Sequence, residues 1–204
     1  MSTTLARNGA PSTTHAAVEV IQPDAPVTDQ PLVESFRLLA LNVDRLLVDA
    51  ARRSVLVLSA RSDDGRSLVA TSLAAALAEI SPRVLLVKAD PIGSEDGADS
   101  RLNHSTDKGW LKVVDCIRPG KASQSDFVAG VTSAIDDGLR QGAIVVVDAP
   151  ACTTSTVAFH IAPVVGGVLY LARQRAESPE IHHDIRAQLD LLGAHILGVV
   201  FNEA

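Results

Sequence analysis

The chain has 204 residues and a formal net charge of −6, with 47% apolar, 21% charged and only 3% aromatic residues. That length suits one domain with a sizeable core, and the negative balance argues against a surface that binds nucleic acid by attracting phosphate. No apolar run approaches the ~18 residues of a membrane span and the N-terminus lacks an apolar signal-peptide core, so a cytoplasmic protein is expected.

Residues 1–30 are rich in Ser, Thr, Ala, Pro and Gln without a sustained period, and are expected as a flexible arm ahead of a domain over 31–204. From 31 to 49, Leu32, Phe36, Leu39, Val43, Leu46 and Leu47 recur at helical steps, which predicts an amphipathic helix. A short apolar run at 54–59 reads as a strand, and 60–66 as a polar loop. Residues 67–80 form a helix apolar almost all round, stopped by Ser81 and Pro82. Strands follow at 83–88 and 110–117, separated by a long polar loop over 91–109. A helix at 125–141 leads to a strand at 143–147, and a short helix at 154–162 to a strand at 164–172. The pattern closes with a helix at 179–192 and a strand at 196–201. Alternating strands and helices predict a mainly parallel sheet with helices on both faces. The runs at 54–59, 83–88 and 143–147 are expected as neighbouring central strands joined by right-handed crossovers.

Four segments carry a resemblance. Val55-Leu-Val-Leu-Ser59 with its loop and Ser67 resembles a phosphate-binding strand, loop and helix. Val84-Leu-Leu-Val-Lys-Ala-Asp90 is similar to a segment that usually reads Val-Leu-Leu-Ile-Asp-Ala-Asp. Ile144-Val-Val-Val-Asp-Ala-Pro150 resembles a Walker B strand, and Ile196-Leu-Gly-Val-Val-Phe-Asn202 the closing strand that reaches a nucleotide base. Glu34-Ser-Phe-Arg37 resembles the Glu-Ala-Tyr-Arg start of the bacterial tyrosine autokinases of capsule and exopolysaccharide synthesis. Those kinases are relatives of the ATPases that partition chromosomes and place the division site.

The resemblance implies a P-loop NTPase-like α/β fold over 31–204, with ATP and Mg²⁺ as ligands. It places Gly65, Arg66, Ser67 and Asn202 on the nucleotide, and Ser67, Asp90 and Asp148 on the metal. It implies a membrane chain-length or export protein as partner, recruitment to the inner face of the cell membrane, and homo-oligomers built on a Glu-x-x-Arg-x-x-Arg motif. Here Glu34 and Arg37 match that motif, but Ala40 stands at its third position.

The chain departs from the pattern where phosphate is handled. Asp63-Asp64-Gly65-Arg66-Ser67-Leu68 stands where the pattern has about Gly-Glu-Gly-Lys-Ser/Thr-Thr. Asp63 removes a residue free to adopt positive φ and adds a charge that repels each phosphate charge by about 1–4 kcal/mol at ~4 Å. Arg66 keeps the lysine's charge but puts a broad planar group where a compact ammonium fits. Lys88 reverses the charge of an expected Asp. It either neutralises phosphate directly, or pairs with Asp90, Asp148 or Asp63 and fills an empty site. Asp148 is read as a Walker B carboxylate, or as a strand-ending cap. The sequence ends at Ala204 without a tyrosine-rich tail, and Tyr170 lies in a strand, so autophosphorylation on a tail is not expected. These changes predict weak or absent Mg²⁺-ATP binding. The reading is a degenerate, non-catalytic partner or regulator of exopolysaccharide or capsule synthesis and export. The alternative is an active tyrosine kinase or ATPase that uses Arg66 in place of the lysine.

Other residues carry less. Cys116 and Cys152 fit no zinc spacing and are expected as buried thiols. His182 and His183 are adjacent, face different sides of a helix and are expected at the surface. Trp110 reads as a core or loop anchor. Arg173 and Arg175 follow a strand at the carboxyl edge of the sheet, where ligands bind in open α/β folds, and read equally as solvated loop charges.

Overall fold

The apolar run at 54–59 forms β2 (Ser54–Ser59), with every residue buried. The computed structural model describes residues 17–19, 30–90, 103–105, 110–117, 123–173 and 179–202. Around β2 stand β3 (Arg83–Asp90), β5 (Trp110–Ile117), β6 (Ile144–Asp148), β7 (Gly167–Arg173) and β8 (Ile196–Asn202). These six are parallel, in the order β5-β3-β6-β2-β7-β8. The runs expected as neighbouring central strands are therefore contiguous, with β6 between β3 and β2.

Alternation along each strand explains why the runs are apolar throughout. Val55, Val57, Leu86, Val146 and Leu171 meet α1 (Gln30–Val48) and α2 (Arg66–Ile80) on one face. Leu56, Leu58, Val87 and Val147 meet α3 (Gln124–Arg140), the short α4 (Val157–Ile161) and α5 (Pro179–Leu191) on the other. Successive side chains point to opposite faces and both faces are covered, so neither can be polar. α2 lies between α1 and the sheet, which is why it is apolar on most sides: Val69, Leu73 and Leu77 are buried.

Two short strands were not legible. β1 (Ala17–Glu19) pairs antiparallel with the middle of β5, and β4 (Asn103–Ser105) with its first residues. The arm expected over 1–30 thus contributes three residues to the sheet, and the loop expected over 91–109 contributes another three. The other residues of those two segments, except Gln30, lie outside the described residues. A single-turn 3₁₀ helix (Ala162–Val164) precedes β7, which therefore starts at Gly167 rather than at 164. Among the described residues no helix is long and apolar enough to cross a membrane.

Candidate nucleotide site at the carboxyl edge of the sheet

The loop from β2 to α2 is built as the phosphate-loop reading requires in one respect. Gly65 takes φ 85° and ψ 19° at the N-cap of α2, a left-handed conformation that glycine adopts without steric cost. The N-cap Gly65 supplies no side-chain cap, and the leading N–H groups and helix dipole of α2 face the space above the loop, as an anion site needs. Ser67 is exposed in that first turn.

The loop is held from within. Asp64 is 1% exposed and its Oδ2 accepts the Arg61 N–H at 2.8 Å. Ser59 Oγ donates to the Arg61 carbonyl at 2.7 Å. The segment after β6 straps across: the Cys152 N–H donates to the Ser59 carbonyl, and both N–H and Oγ1 of Thr153 donate to Ala60 O.

The charged groups are arranged differently from the expectation. Arg66 Nε donates to Asp148 Oδ1 at 2.7 Å, and Nη1 stands 3.5 Å from Ser59 Oγ. The two side chains of this ion pair are 12% and 9% exposed. The residue expected on phosphate and the carboxylate expected on metal are therefore bonded to each other, across 82 positions of sequence. The pairing follows from strand order: β2 and β6 are adjacent and Val57 is in register with Asp148, so the start of α2 comes down beside the end of β6.

A second, looser pair reaches the loop. Arg173 Nη1 lies 3.7 Å from Asp63 Oδ2, with Asp63 71% exposed. This is worth little energy in solvent, but it brings Arg173 to the loop. Lys88 is half-buried, flanked in register by Asp148 on β6 and Asp115 on β5. Among the described residues it forms no ion pair; Asp148 is taken by Arg66, and Asp63 is contacted by Arg173. Asp115, not foreseen from sequence, extends a row of alternating sign: Asp115, Lys88, Asp148, Arg66. Asp90 and Asn202 end β3 and β8, in register with Ile117 and Arg173; their side chains lie outside the described residues, as does Arg175.

No family model matches the chain. It is 25% identical over 203 residues to the succinoglycan biosynthesis transport protein ExoP of Rhizobium meliloti, an alignment that covers 87% of this chain and 26% of that protein. Its fold matches the kinase domain of the Escherichia coli tyrosine kinase ETK with a TM-score of 0.70 at 19% identity, over 90% of this chain and 82% of that one. It matches the chimerical protein CapA2B2 with a TM-score of 0.69 at 22% identity, over 90% and 87%. The chain is thus similar in sequence to part of a succinoglycan biosynthesis transport protein and in fold to a tyrosine-kinase domain. It spans about a quarter of ExoP's length.

Glu34 and Arg37, which the resemblance would place in an oligomerisation motif, are engaged within the chain. Arg37 binds Glu34 at 2.6 Å and Glu79 of α2 at 2.8 Å, which joins α1 to α2. His182 corrects an expectation: it is not a plain surface residue, because its Nδ1 lies 2.7 Å from the Tyr170 hydroxyl, with the rings edge to face. Among the described residues no group of three or more His, Cys, Asp or Glu is placed to hold a metal ion.

Cys116 is a buried thiol as expected, whereas Cys152 is only half-buried. Burial pushes Cys116 up to about 12 from 9.0, and Cys152 likewise to about 12, with the nearby Arg66 cation pulling the latter down. At about pH 8 both should react with a thiol reagent at least about a hundredfold more slowly in the native chain than in urea, since the thiolate is the nucleophile. The sign of the pH effect follows. Below 9.0 both states keep these protons, so the thiols add no pH dependence; as pH rises from there towards about 12 the unfolded chain sheds protons the folded chain retains, and stability falls. Replacing both cysteines with Ala should remove that part of the alkaline slope in urea unfolding curves; an unchanged slope would refute it.

Proposed function

We propose that this chain is a non-catalytic, tyrosine-kinase-like partner or regulator in exopolysaccharide or capsule biosynthesis and export. The observation that carries the reading is the nearly buried Arg66–Asp148 pair. A nucleotide with Mg²⁺ would need Arg66 on phosphate and Asp148 on metal at the same time, so each would first have to give up the other. Asp63, beside the loop, adds a negative charge where phosphates would lie. Gly65 and the open start of α2 fit an anion; the carboxylates and cations around them fit one another. Were ATP and Mg²⁺ held, Gly65, Arg66, Ser67 and Asn202 would serve the nucleotide and Ser67, Asp90 and Asp148 the metal, which supplies charge neutralisation for phosphoryl transfer.

The partner in this reading is a membrane chain-length or export protein, on the strength of the similarity to a succinoglycan transport protein. The chain would then act in the cytoplasm at the inner face of the membrane, as a domain over 31–204 behind an N-terminal arm. Homo-oligomers through α1 would require Arg37 to leave Glu34 and Glu79.

Calorimetric titration of the chain with ATP, with and without Mg²⁺, tests the reading, followed by a phosphate-release assay. Weak binding that Mg²⁺ does not strengthen, and no turnover, is the expected result. The glycine conformation and uncapped helix start favour a second reading, an ATP-binding tyrosine kinase or ATPase with Arg66 in the lysine's role. Micromolar, Mg²⁺-dependent binding with steady phosphate release would establish that reading and overturn the first.

A further inference from the structure

A pocket of about 470 Å³ opens between α5 and the edge formed by β7 and β8. It lies on the face of the sheet opposite α2: Tyr170, Ile185 and Leu189 belong to the core layer away from the phosphate-loop helix. Its described lining includes Tyr170, Arg173, His182, Arg186, Val199 and Phe201, and the rest of that lining is apolar.

Three features define what would fill it. First, the size is that of a small-molecule site rather than a packing defect. Second, Val199 and Phe201 line it while remaining 50% and 69% exposed, so a ligand with an apolar body would remove their surface from water. Third, every charged group in the described lining is cationic: Arg173 and Arg186, with the His182 imidazole hydrogen-bonded to Tyr170. Arg186 reaches Asp190 only at 3.6 Å, with both side chains more than half exposed, a contact a closer anion would readily replace.

We propose that this pocket binds an amphiphilic anion, with an alkyl or aromatic body of about ten carbons against Val199 and Phe201 and a single phosphate or carboxylate at Arg186. Arg173 also contacts Asp63, so the mouth of the pocket adjoins the phosphate loop from the other side of the sheet.

Monomeric decyl phosphate, titrated into the full chain by calorimetry, is the probe. Saturable one-to-one binding is expected, with decanol weaker by about tenfold or more and decyltrimethylammonium silent. Phe201→Ser and Arg186→Gln, both at exposed positions, should each weaken decyl phosphate by about five- to tenfold. In methyl NMR spectra Ile185, Leu189 and Val199 should shift, while Val57 and Leu86 on the other face stay still. Phosphatidylcholine vesicles with and without phosphatidate separate the two sources of such an anion. Phosphatidate-dependent co-sedimentation lost in Phe201→Ser marks a membrane lipid as the ligand; decyl phosphate binding without co-sedimentation marks a soluble amphiphile. Absence of decyl phosphate binding, equal binding of decanol, or indifference to both substitutions would overturn the proposal.

Discussion

Asp148→Ala should lower the stability of the folded chain by about 2–4 kcal/mol, measured from urea unfolding curves. The pair it breaks is 12% and 9% exposed, so the loss falls toward the lower part of the range for breaking a buried ion pair. Most of that loss is not the strength of the bond removed. It is the cost of leaving the Arg66 guanidinium desolvated, with Ser59 Oγ at 3.5 Å and the Cys152 thiol nearby. Replacing both members, as Arg66→Met with Asp148→Leu, should cost far less than Asp148→Ala alone, because two desolvated charges disappear together. The two residues touch, so the single effects should not add. A loss under about 1 kcal/mol for Asp148→Ala, the value of a solvated surface pair, would mean that Arg66 relaxes into water and that nothing locks the site.

The combined substitution Asp63→Gly, Arg66→Lys and Lys88→Asp should raise Mg²⁺-ATP affinity by about tenfold or more, with the gain appearing only when Mg²⁺ is present. Asp63→Gly removes a repulsion of about 1–4 kcal/mol per phosphate charge at ~4 Å. Arg66→Lys replaces a fork held by Asp148 and Ser59 with a compact ammonium that leaves Asp148 more readily. Lys88→Asp places a carboxylate beside Asp148 in register, which supplies a second oxygen ligand on the metal side. Single reversions should do less, and Lys88→Asp alone should weaken metal-free binding by removing a cation. Titration of the four variants with ATP, each with and without Mg²⁺, reads all of this. If the triple variant gains nothing, the three positions are not what weakens the site, and the degenerate-loop argument falls.

The architecture was largely legible in the sequence because burial on both faces makes local demands. The central runs of β2, β3, β6 and β7 must be mainly apolar, α2 must be apolar nearly all round because it lies between α1 and the sheet, and the turns between them must be polar. Such patterns repeat within one element, so they are visible without knowing what the element touches. Gly65 was named from the resemblance alone, and its left-handed conformation at the head of α2 came only with the structure. The candidate residues Gly65, Arg66, Ser67 and Asp148 do gather at one edge, because the order of the strands places β2 beside β6.

What those residues do to each other was decided only by the tertiary structure. Arg66 meets Asp148 and Arg173 meets Asp63 across long stretches of chain, and Asp115 joins Lys88 and Asp148 in one row through strand register. A charged side chain at the end of a strand has no period of its own; its partner depends on which strands are neighbours and which way a long side chain turns. Tyr170 and His182 meet for the same reason, through the packing of α5 on β7. β1 and β4 were invisible because three residues cannot establish an alternation, and only the open edge of β5 turns them into strands.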